Sequence, residues 1–301
     1  MSVNVPRILI TGKDGQVGWE SQRSLAALGD VQAVNRNEMD LSDASSIREI
    51  IQQIKPDIIV NTAAYTAVDK AEDDEDLALQ INGIAPGVIA EEAHKIGALL
   101  VHYSTDYVFD GRKSTPYTEA DKTNPLNVYG NTKLLGERNI QSTDVDNIII
   151  RTSWVYASRG KNFLASILKL ASEREELNIV ADQIGSPTTA RYIADVTAHM
   201  VKQSLSERQN TIFESNIYNL VSLSNTSWHG FSEEIIRLAK KHLINTHFRV
   251  KHINAITTEQ YPVPAKRPKN SCLSTDKLTQ HYGLALSDWK ALLNLSIQDL
   301  K

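Results

Sequence analysis

The chain has 301 residues, of which 41% are hydrophobic and 23% are charged, a balance typical of a folded globular protein rather than a disordered one. Its 32 basic and 36 acidic side chains give a formal net charge of −4 at pH 7, which argues against dedicated binding of nucleic acid. The single cysteine, Cys272, excludes an intrachain disulfide and a cysteine-based zinc cluster.

Short apolar runs alternate with helical patterns over the first half of the chain. The runs predict buried strands at residues 7–10, 31–34, 58–60, 98–101 and 148–150. The first helix is expected to run through Leu25 and Leu28 and to end at Gly29. A second helix is expected after a cap at Ser42 or Asp43, with four isoleucines spaced to share one face. This alternation predicts an α/β fold with a doubly wound parallel sheet.

The pattern is less regular in the second half of the chain. Helices are predicted at residues 162–172, 191–203, 232–242 and 287–295, with proline-containing loops between them. We therefore predict a first domain over residues 1–151, completed by parts of 186–220, and a smaller lobe over residues 152–301 that is interleaved with it. No Gly/Ser-rich linker separates them in the sequence, which predicts a tight interface.

A glycine-rich segment joins the first predicted strand to the first predicted helix. It reads Gly12-Lys13-Asp14-Gly15-Gln16-Val17-Gly18. Glycines at this place permit a tight turn and a close approach of the backbone to a pyrophosphate, which the N–H groups of the helix start can bind. The segment therefore predicts a dinucleotide site in a Rossmann-type domain, with an ordinary glycine-rich turn as the alternative.

The end of the second predicted strand bears on which coenzyme is bound. Sites that prefer NAD place a carboxylate there, because it accepts hydrogen bonds from the ribose hydroxyls. This strand ends instead at Asn35 and Arg36, and the guanidinium of Arg36 can pair with a 2′-phosphate. We therefore expect NADPH to be favoured or at least tolerated beside NADH, with a solvated loop charge as the alternative role of Arg36.

A second group of residues predicts acid-base chemistry. Tyr129 and Lys133 are four residues apart, so a helix would place both on one face. An ammonium beside the phenol would favour its ionised form and lower a pKa that is ordinarily about 10. Thr105 follows the strand predicted at residues 98–101, at the end where a parallel sheet opens its ligand crevice. Together the three side chains can polarise a carbonyl group.

An ordered set of motifs over nearly the whole chain resembles the extended short-chain dehydrogenase/reductases and, within them, the dTDP-4-dehydrorhamnose reductase family. Besides the glycine segment and the Tyr129 to Lys133 run, the set comprises Asp40-Leu41, NTAAYTAVD at 61–69, STDYVFDG at 104–111, RTSWVY at 151–156, DQIGSPT at 182–188 and AKRP at 265–268. The ordered set is far more specific than any of its members.

The resemblance implies roles for the residues that match its motifs. Thr105, Tyr129 and Lys133 are the implied catalytic triad. The implied coenzyme ligands are the glycine segment, Asp40 and Leu41 near the adenine, Ala63, Ala64, Tyr65, Tyr129 and Lys133. The implied substrate contacts are Thr105, Asp106, Tyr129, Trp154 and the diphosphate-binding Arg267. The alternatives are a core aromatic for Trp154 and a helix cap or surface ion pair for Arg267.

The implied reaction is the NAD(P)H-dependent reduction of the C4 keto group of dTDP-4-dehydro-β-L-rhamnose to dTDP-β-L-rhamnose, with residues 152–301 forming most of the sugar-nucleotide lobe. Two alternatives stay open. One is another extended-family sugar-nucleotide reductase or epimerase, and the other is a non-catalytic, NADP-binding regulatory subunit of methionine adenosyltransferase. The presence of Thr105, Tyr129, Lys133 and Trp154 favours catalysis.

The resemblance also bears on metals and assembly. Some members of the family hold magnesium at a dimer interface through a glutamate shortly after the motif at 182–188, but this chain has Thr189-Ala190-Arg191 there. An arginine repels a cation, so we predict no metal site, and a homodimer remains one open assembly. No run of about 18 apolar residues and no basic, signal-like start occurs. We therefore expect a cytoplasmic protein without a membrane partner.

Overall fold

The predicted alternation of strands and helices is present in the structure, a computed structural model that describes residues 5–300. Its strands are β1 (Arg7–Thr11), β2 (Asp30–Val34), β3 (Ile58–Asn61), β4 (Leu99–Thr105), β5 (Asn147–Thr152), β6 (Val155–Tyr156), β7 (Glu176–Val180), β8 (Ile184–Gly185), β9 (Thr188–Thr189), β10 (Asn216–Asn219), β11 (Thr226–Ser227) and β12 (His252–Ile256). Its α-helices are α1 (Gln16–Ser24), α2 (Ala44–Ile54), α3 (Glu75–Ala78), α4 (Ala85–Ile96), α5 (Val128–Gln141), α6 (Phe163–Glu173), α7 (Ala190–Gln209), α8 (Trp228–His242), α9 (Asp276–Tyr282) and α10 (Trp289–Gln298).

Six of the strands form one parallel sheet. Its order is β10-β5-β4-β3-β1-β2, and every neighbouring pair is parallel. The chain moves outward from β1 to β2 and then crosses back to β3, so the strand order reverses between β1 and β3. Ligands of open α/β sheets bind at such a reversal, beyond the carboxyl ends of the strands.

Alternate residues of the strands build two apolar layers, one on each face of the sheet. Ile8 and Ile10 belong to the layer that includes residues of α7 and α9, while Leu9 belongs to the layer formed with α2 and α4. The predicted face of α2 is confirmed, because its first and third isoleucines, Ile47 and Ile51, are fully buried in that second layer. Burial on both faces explains why the strands read as continuous apolar runs.

A third apolar cluster lies in the second half of the chain. It joins residues of α6, α8 and α10, with Phe231 and Leu293 fully buried at its centre. Strands β7 and β12 form a separate parallel pair beside it, which the sequence analysis did not predict. The division of the chain into domains at residue 151 stays a prediction, although β10 joins the central sheet from beyond it.

Some predicted boundaries were wrong. Helix α1 ends at Ser24, because Leu28 donates to the carbonyl of Leu25 in a tighter turn. Helix α8 begins at Trp228, four residues earlier than predicted, since the Ser227 hydroxyl caps it by accepting from the N–H of Gly230 at 3.0 Å. Helix α7 continues to Gln209. Among the described residues, none of the helices combines the length and apolar character needed to cross a membrane.

Candidate active site

The glycine segment forms a close-packed turn between β1 and α1. Gly12 has a φ of +73°, and the Gly15 N–H donates to its carbonyl at 2.9 Å. A Cβ on Gly18 would lie 2.1 Å from the same carbonyl oxygen. The N-cap of α1 is Gly15, which has no side chain to occupy the first N–H groups of the helix. The turn therefore offers the backbone cradle that a pyrophosphate requires.

Replacing Gly18 with alanine is expected to raise the Kd of the coenzyme at least about tenfold, because the added methyl forces the Gly12 carbonyl out of the turn. Titration of NADPH against protein fluorescence measures this, and circular dichroism checks the fold. The matched control is Gly87→Ala in α4, where the new methyl meets the Asn139 side chain at 3.0 Å. Equal coenzyme affinity in both variants would contradict the cradle.

The tip of β2 differs from the sequence expectation. Glu38 folds back toward it, where one carboxylate oxygen accepts from the N–H of Asn35 at 2.8 Å and from the ammonium of Lys13 at 2.6 Å. The hydrogen bond from Lys13 is the main cause that lowers the pKa of Glu38. The prediction that no carboxylate stands at this tip was therefore wrong, because a carboxylate three residues further along the chain reaches it. Arg36 is exposed, and its Nε lies 3.5 Å from a carboxylate oxygen of Asp40.

The remaining coenzyme candidates lie beside β2 and β3. Leu41 is buried, and Asp40 accepts from the Ser42 N–H at 2.9 Å. The segment Ala63 to Tyr65 follows β3, and Asn82 holds it by bonding both the N–H and the carbonyl of Tyr65 at 2.9 and 3.0 Å. Asn82 lies in a π-helical turn, Leu79–Ile84, a local geometry frequent at functional sites. Nothing in the sequence pattern indicated this asparagine.

Helix α5 carries two of the three catalytic candidates, and its start is capped twice. The Asn127 side chain accepts from the N–H of Gly130 at 2.7 Å, and a carboxylate oxygen of Glu72 accepts from the N–H of Val128 at 2.9 Å. Glu72 ends a 3₁₀ turn, Lys70–Glu72, and its carboxylate stabilises the N-terminus of α5.

Tyr129 lies beside Thr105, which ends β4. Desolvation by burial raises the pKa of Tyr129 well above its usual value, with smaller contributions from Asp106 and Tyr107, while a hydrogen bond with Thr105 opposes the shift. The rings of Tyr129 and Tyr107 meet edge to face, with centroids 5.6 Å apart. The phenol of Tyr129 is therefore protonated near pH 7, as a proton donor must be, although the raised pKa also makes it a weaker acid.

Lys133 is fully enclosed one turn further along α5. Among the described residues, its ammonium donates to the carbonyl of Tyr103 at 2.5 Å and lies 3.3 Å from the Nε2 of His102. Burial lowers the pKa of Lys133 to about 8, against an opposing effect of Glu137. Its hydrogen bonds lie along β4 and not at Tyr129, and the expectation that this ammonium favours phenolate at Tyr129 stays a prediction. Its role toward the coenzyme ribose stays a prediction.

Asp106 follows Thr105 and is buried. One carboxylate oxygen accepts from the Thr105 hydroxyl at 3.0 Å, and the other, Oδ2, is buried without a hydrogen-bond partner within residues 5–300. Burial raises the pKa of Asp106 to about 6, against an opposing effect of the Ser271 and Thr105 side chains. Such an oxygen is satisfied when a hydroxyl-bearing ligand donates to it.

A cleft of about 880 Å³ is lined by Tyr107, Arg267 and Trp228, and Tyr107 connects it to Tyr129 through their edge-to-face contact. Arg267 donates to a carboxylate oxygen of Asp69 at 2.7 Å and to the Tyr107 hydroxyl at 3.1 Å. The ion pair with Asp69 matches the alternative stated for this arginine, although the guanidinium also faces the cleft.

Trp154 is held in an unusual position. Its φ is +49°, and its ring stacks on that of Trp228 with centroids 3.5 Å apart and planes 8° apart. A Cβ on Gly185 would lie 2.6 Å from the Trp154 indole, so the glycine admits the ring. Trp228 in turn donates from Nε1 to Gln183 at 3.2 Å. Trp154 is therefore part of an aromatic pair at the cleft, and sequence reasoning missed its partner.

The structure brings the predicted residues together in two neighbouring groups. The coenzyme candidates surround the ends of β1, β2 and β3, and Thr105, Asp106 and Tyr129 lie where β4 meets α5. Their roles stay predictions. No group of three or more His, Cys, Asp or Glu side chains suited to a metal ion occurs within residues 5–300. Arg191 lies at the start of α7, and its Nε is 4.0 Å from a carboxylate oxygen of Asp195.

The chain matches known proteins over nearly its whole length. A family model described as RmlD substrate binding domain matches residues 6–301. The chain is 49% identical to the dTDP-4-dehydrorhamnose reductase of Burkholderia thailandensis, over 98% of this chain and 99% of that one. It is 43% identical to a protein of the same name from Escherichia coli, over 97% of each. The crystal structure of dTDP-4-dehydrorhamnose reductase from Bacillus anthracis in complex with NADP is 32% identical, with a TM-score of 0.89 over 98% of this chain and 99% of that one.

Proposed function

The chain belongs to the RmlD substrate binding domain family, and from that membership we propose that it catalyses the reduction of dTDP-4-dehydro-β-L-rhamnose to dTDP-β-L-rhamnose with NADPH or NADH. The observation that carries the proposal is the phenol of Tyr129, which lies beside the hydroxyl of Thr105 and in edge-to-face contact with Tyr107, a residue that lines the cleft. A keto group reduced there receives a proton from a group that is already protonated.

The residues present fit a dinucleotide. The turn at Gly12 and Gly18 leaves no room for a Cβ, and the start of α1 presents free backbone donors to a diphosphate. When bound, the nicotinamide supplies the hydride that reduces C4. Lys133, anchored on the Tyr103 carbonyl, stands at the side of β4 where it can hold the coenzyme ribose.

The chain's own residues provide the proton and the orientation. The Thr105 hydroxyl gives up its hydrogen bond to Asp106 and donates to the keto oxygen instead, and the Tyr129 phenol transfers its proton to that oxygen as it becomes a hydroxyl. The unpartnered oxygen of Asp106 accepts from a sugar hydroxyl. Trp154 offers an apolar face to the deoxysugar ring, and Arg267 exchanges part of its contact with Asp69 for the substrate diphosphate.

The test mixes the purified protein with NADPH or NADH and the dTDP-linked 4-keto sugar. We expect loss of the reduced-nicotinamide absorbance and formation of dTDP-rhamnose. An epimerase would convert the sugar without consuming coenzyme, and a regulatory subunit would bind NADPH without oxidising it. If neither reduced coenzyme is consumed, the proposal fails. The cytoplasmic location and the homodimer stay predictions.

A further inference from the structure

The β2 tip has an unusual balance of charges for a coenzyme site. Two cations, Lys13 and Arg36, stand there with three carboxylates, those of Asp14, Glu38 and Asp40. Asn35 links two of these carboxylates, because its side-chain amide donates to Asp14 at 3.1 Å while its backbone N–H donates to Glu38 at 2.8 Å. The tip therefore has ligands both for an anion and for a pair of hydroxyls.

Lys13 is the cation better placed to meet a ligand at this tip. It belongs to the glycine turn, and its own N–H donates to the carbonyl of Val34, the last residue of β2, at 3.1 Å. Within residues 5–300 its ammonium is bound only by Glu38, in a pair whose side chains are 27% and 47% exposed. Ion pairs that solvent reaches to this degree are weak, so a stronger anion can take the lysine. Arg36 is more exposed and already lies next to Asp40, which Ser42 fixes.

A 2′-phosphate and a ribose with free hydroxyls interact in opposite ways with Lys13 and Glu38. The phosphate carries a charge of about −1.5 to −2 at pH 7, which attracts Lys13 and repels Glu38. The ribose of NADH presents hydroxyl donors instead, which a carboxylate accepts well and an ammonium does not. The Lys13–Glu38 pair can therefore bind either coenzyme, provided that the two side chains separate for NADPH and stay paired for NADH.

We propose that Glu38 is a coenzyme-specificity residue that accepts the ribose hydroxyls of NADH while paired with Lys13, and that gives up Lys13 to the 2′-phosphate of NADPH. The inference rests on the proposed function in one respect, namely that a nicotinamide dinucleotide is the coenzyme. One ion pair then accounts for the use of both coenzymes, and the preference between NADH and NADPH is set at Glu38 rather than at the residue that ends β2.

The test measures binding without the sugar, by calorimetric titration of NADP⁺ and NAD⁺ into the whole protein. Removing the charge in Glu38→Gln is expected to raise the ratio of the NAD⁺ Kd to the NADP⁺ Kd at least about tenfold. Lys13→Met is expected to lower the same ratio at least about tenfold. The matched control, Glu91→Gln, removes a carboxylate that lies 3.5 Å from Arg48 on α2, and should leave the ratio unchanged.

A merely structural Glu38 would weaken both coenzymes equally and leave the ratio where it was, which would overturn the proposal. Thermal unfolding of each variant identifies loss of fold, and Glu38→Asp then provides a milder change that should shift the ratio in the same direction as Glu38→Gln. The outcome is separable from the proposed function. A protein that binds both dinucleotides with the expected shifts but reduces no dTDP-sugar would refute the reaction and leave this inference standing.

Discussion

Replacement of Tyr129 by phenylalanine is expected to lower kcat for the proposed reduction by about two to four orders of magnitude, the usual contribution of a positioned proton donor. The variant keeps the ring that packs edge to face on Tyr107 and loses only the hydroxyl beside Thr105. The lost group carries its proton at neutral pH, as any phenol of ordinary or raised pKa does. Steady-state rates with NADPH, together with the coenzyme Kd, separate loss of chemistry from loss of binding.

The control for this variant is Tyr282→Phe. Tyr282 is also a buried tyrosine with a raised pKa, but its hydroxyl lies 3.2 Å from that of Ser204, in the apolar layer that includes residues of α7 and α9. It should retain the wild-type kcat while losing a comparable hydrogen bond. If Tyr129→Phe retained the full rate, Tyr129 would not be the proton donor, and Asp106, whose pKa burial raises to about 6, would be the next candidate.

The sequence was informative where one physical requirement governs several adjacent residues. Strands buried on both faces need continuous apolar runs, so the strands of the central sheet up to β5 were predicted close to their observed ends, except β4, which continues beyond the predicted residue 101 to Thr105. The glycine turn was predicted for a similar reason, since its close contacts exclude other side chains at Gly18. The order of the motifs also predicted that Thr105 and Tyr129 belong to one site, but it predicted no distance or orientation between them.

The sequence was less informative where a side chain bonds to partners that are distant along the chain. Spacing predicted Lys133 on the same helix face as Tyr129, but its ammonium donates to the carbonyl of Tyr103 on β4. The tip of β2 seemed to lack a carboxylate because Glu38 reaches it only through the path of a loop. Neither loop paths nor tertiary hydrogen bonds have a periodic signature.

Helix α5 is anchored to the sheet by a buried ion pair, and its loss has the largest expected effect on stability. A carboxylate oxygen of Glu137 accepts from the Nη2 of Arg151 at 2.6 Å, with side chains only 1% and 3% exposed. The other oxygen accepts from the Nε of Arg151 at 2.9 Å and from the hydroxyl of Ser104 at 2.5 Å. The guanidinium of Arg151 has no comparable carboxylate elsewhere in the described chain, so Glu137 alone balances its charge.

Replacement of Glu137 by glutamine is expected to lower the free energy of unfolding by about 3–5 kcal/mol, because the guanidinium of Arg151 is then left charged in the interior. Urea unfolding measures the change as a shift of the midpoint at constant slope. The control Glu234→Gln breaks the pair with Arg237, whose side chain is 61% exposed, and should cost no more than about 1 kcal/mol. Equal losses in the two variants would contradict the prediction.

The same pair connects stability to the active site. Ser104 immediately precedes Thr105, and Glu137 lies one turn beyond Lys133 on α5, where its charge opposes the lowering of the lysine pKa by burial. A Glu137→Gln, Arg151→Met double variant removes both charges, so it should regain part of the lost stability. It should not regain full activity, because the negative charge that supports the protonated form of Lys133 is still missing. Recovery of stability without recovery of the rate would therefore separate the structural effect of the pair from its effect on Lys133.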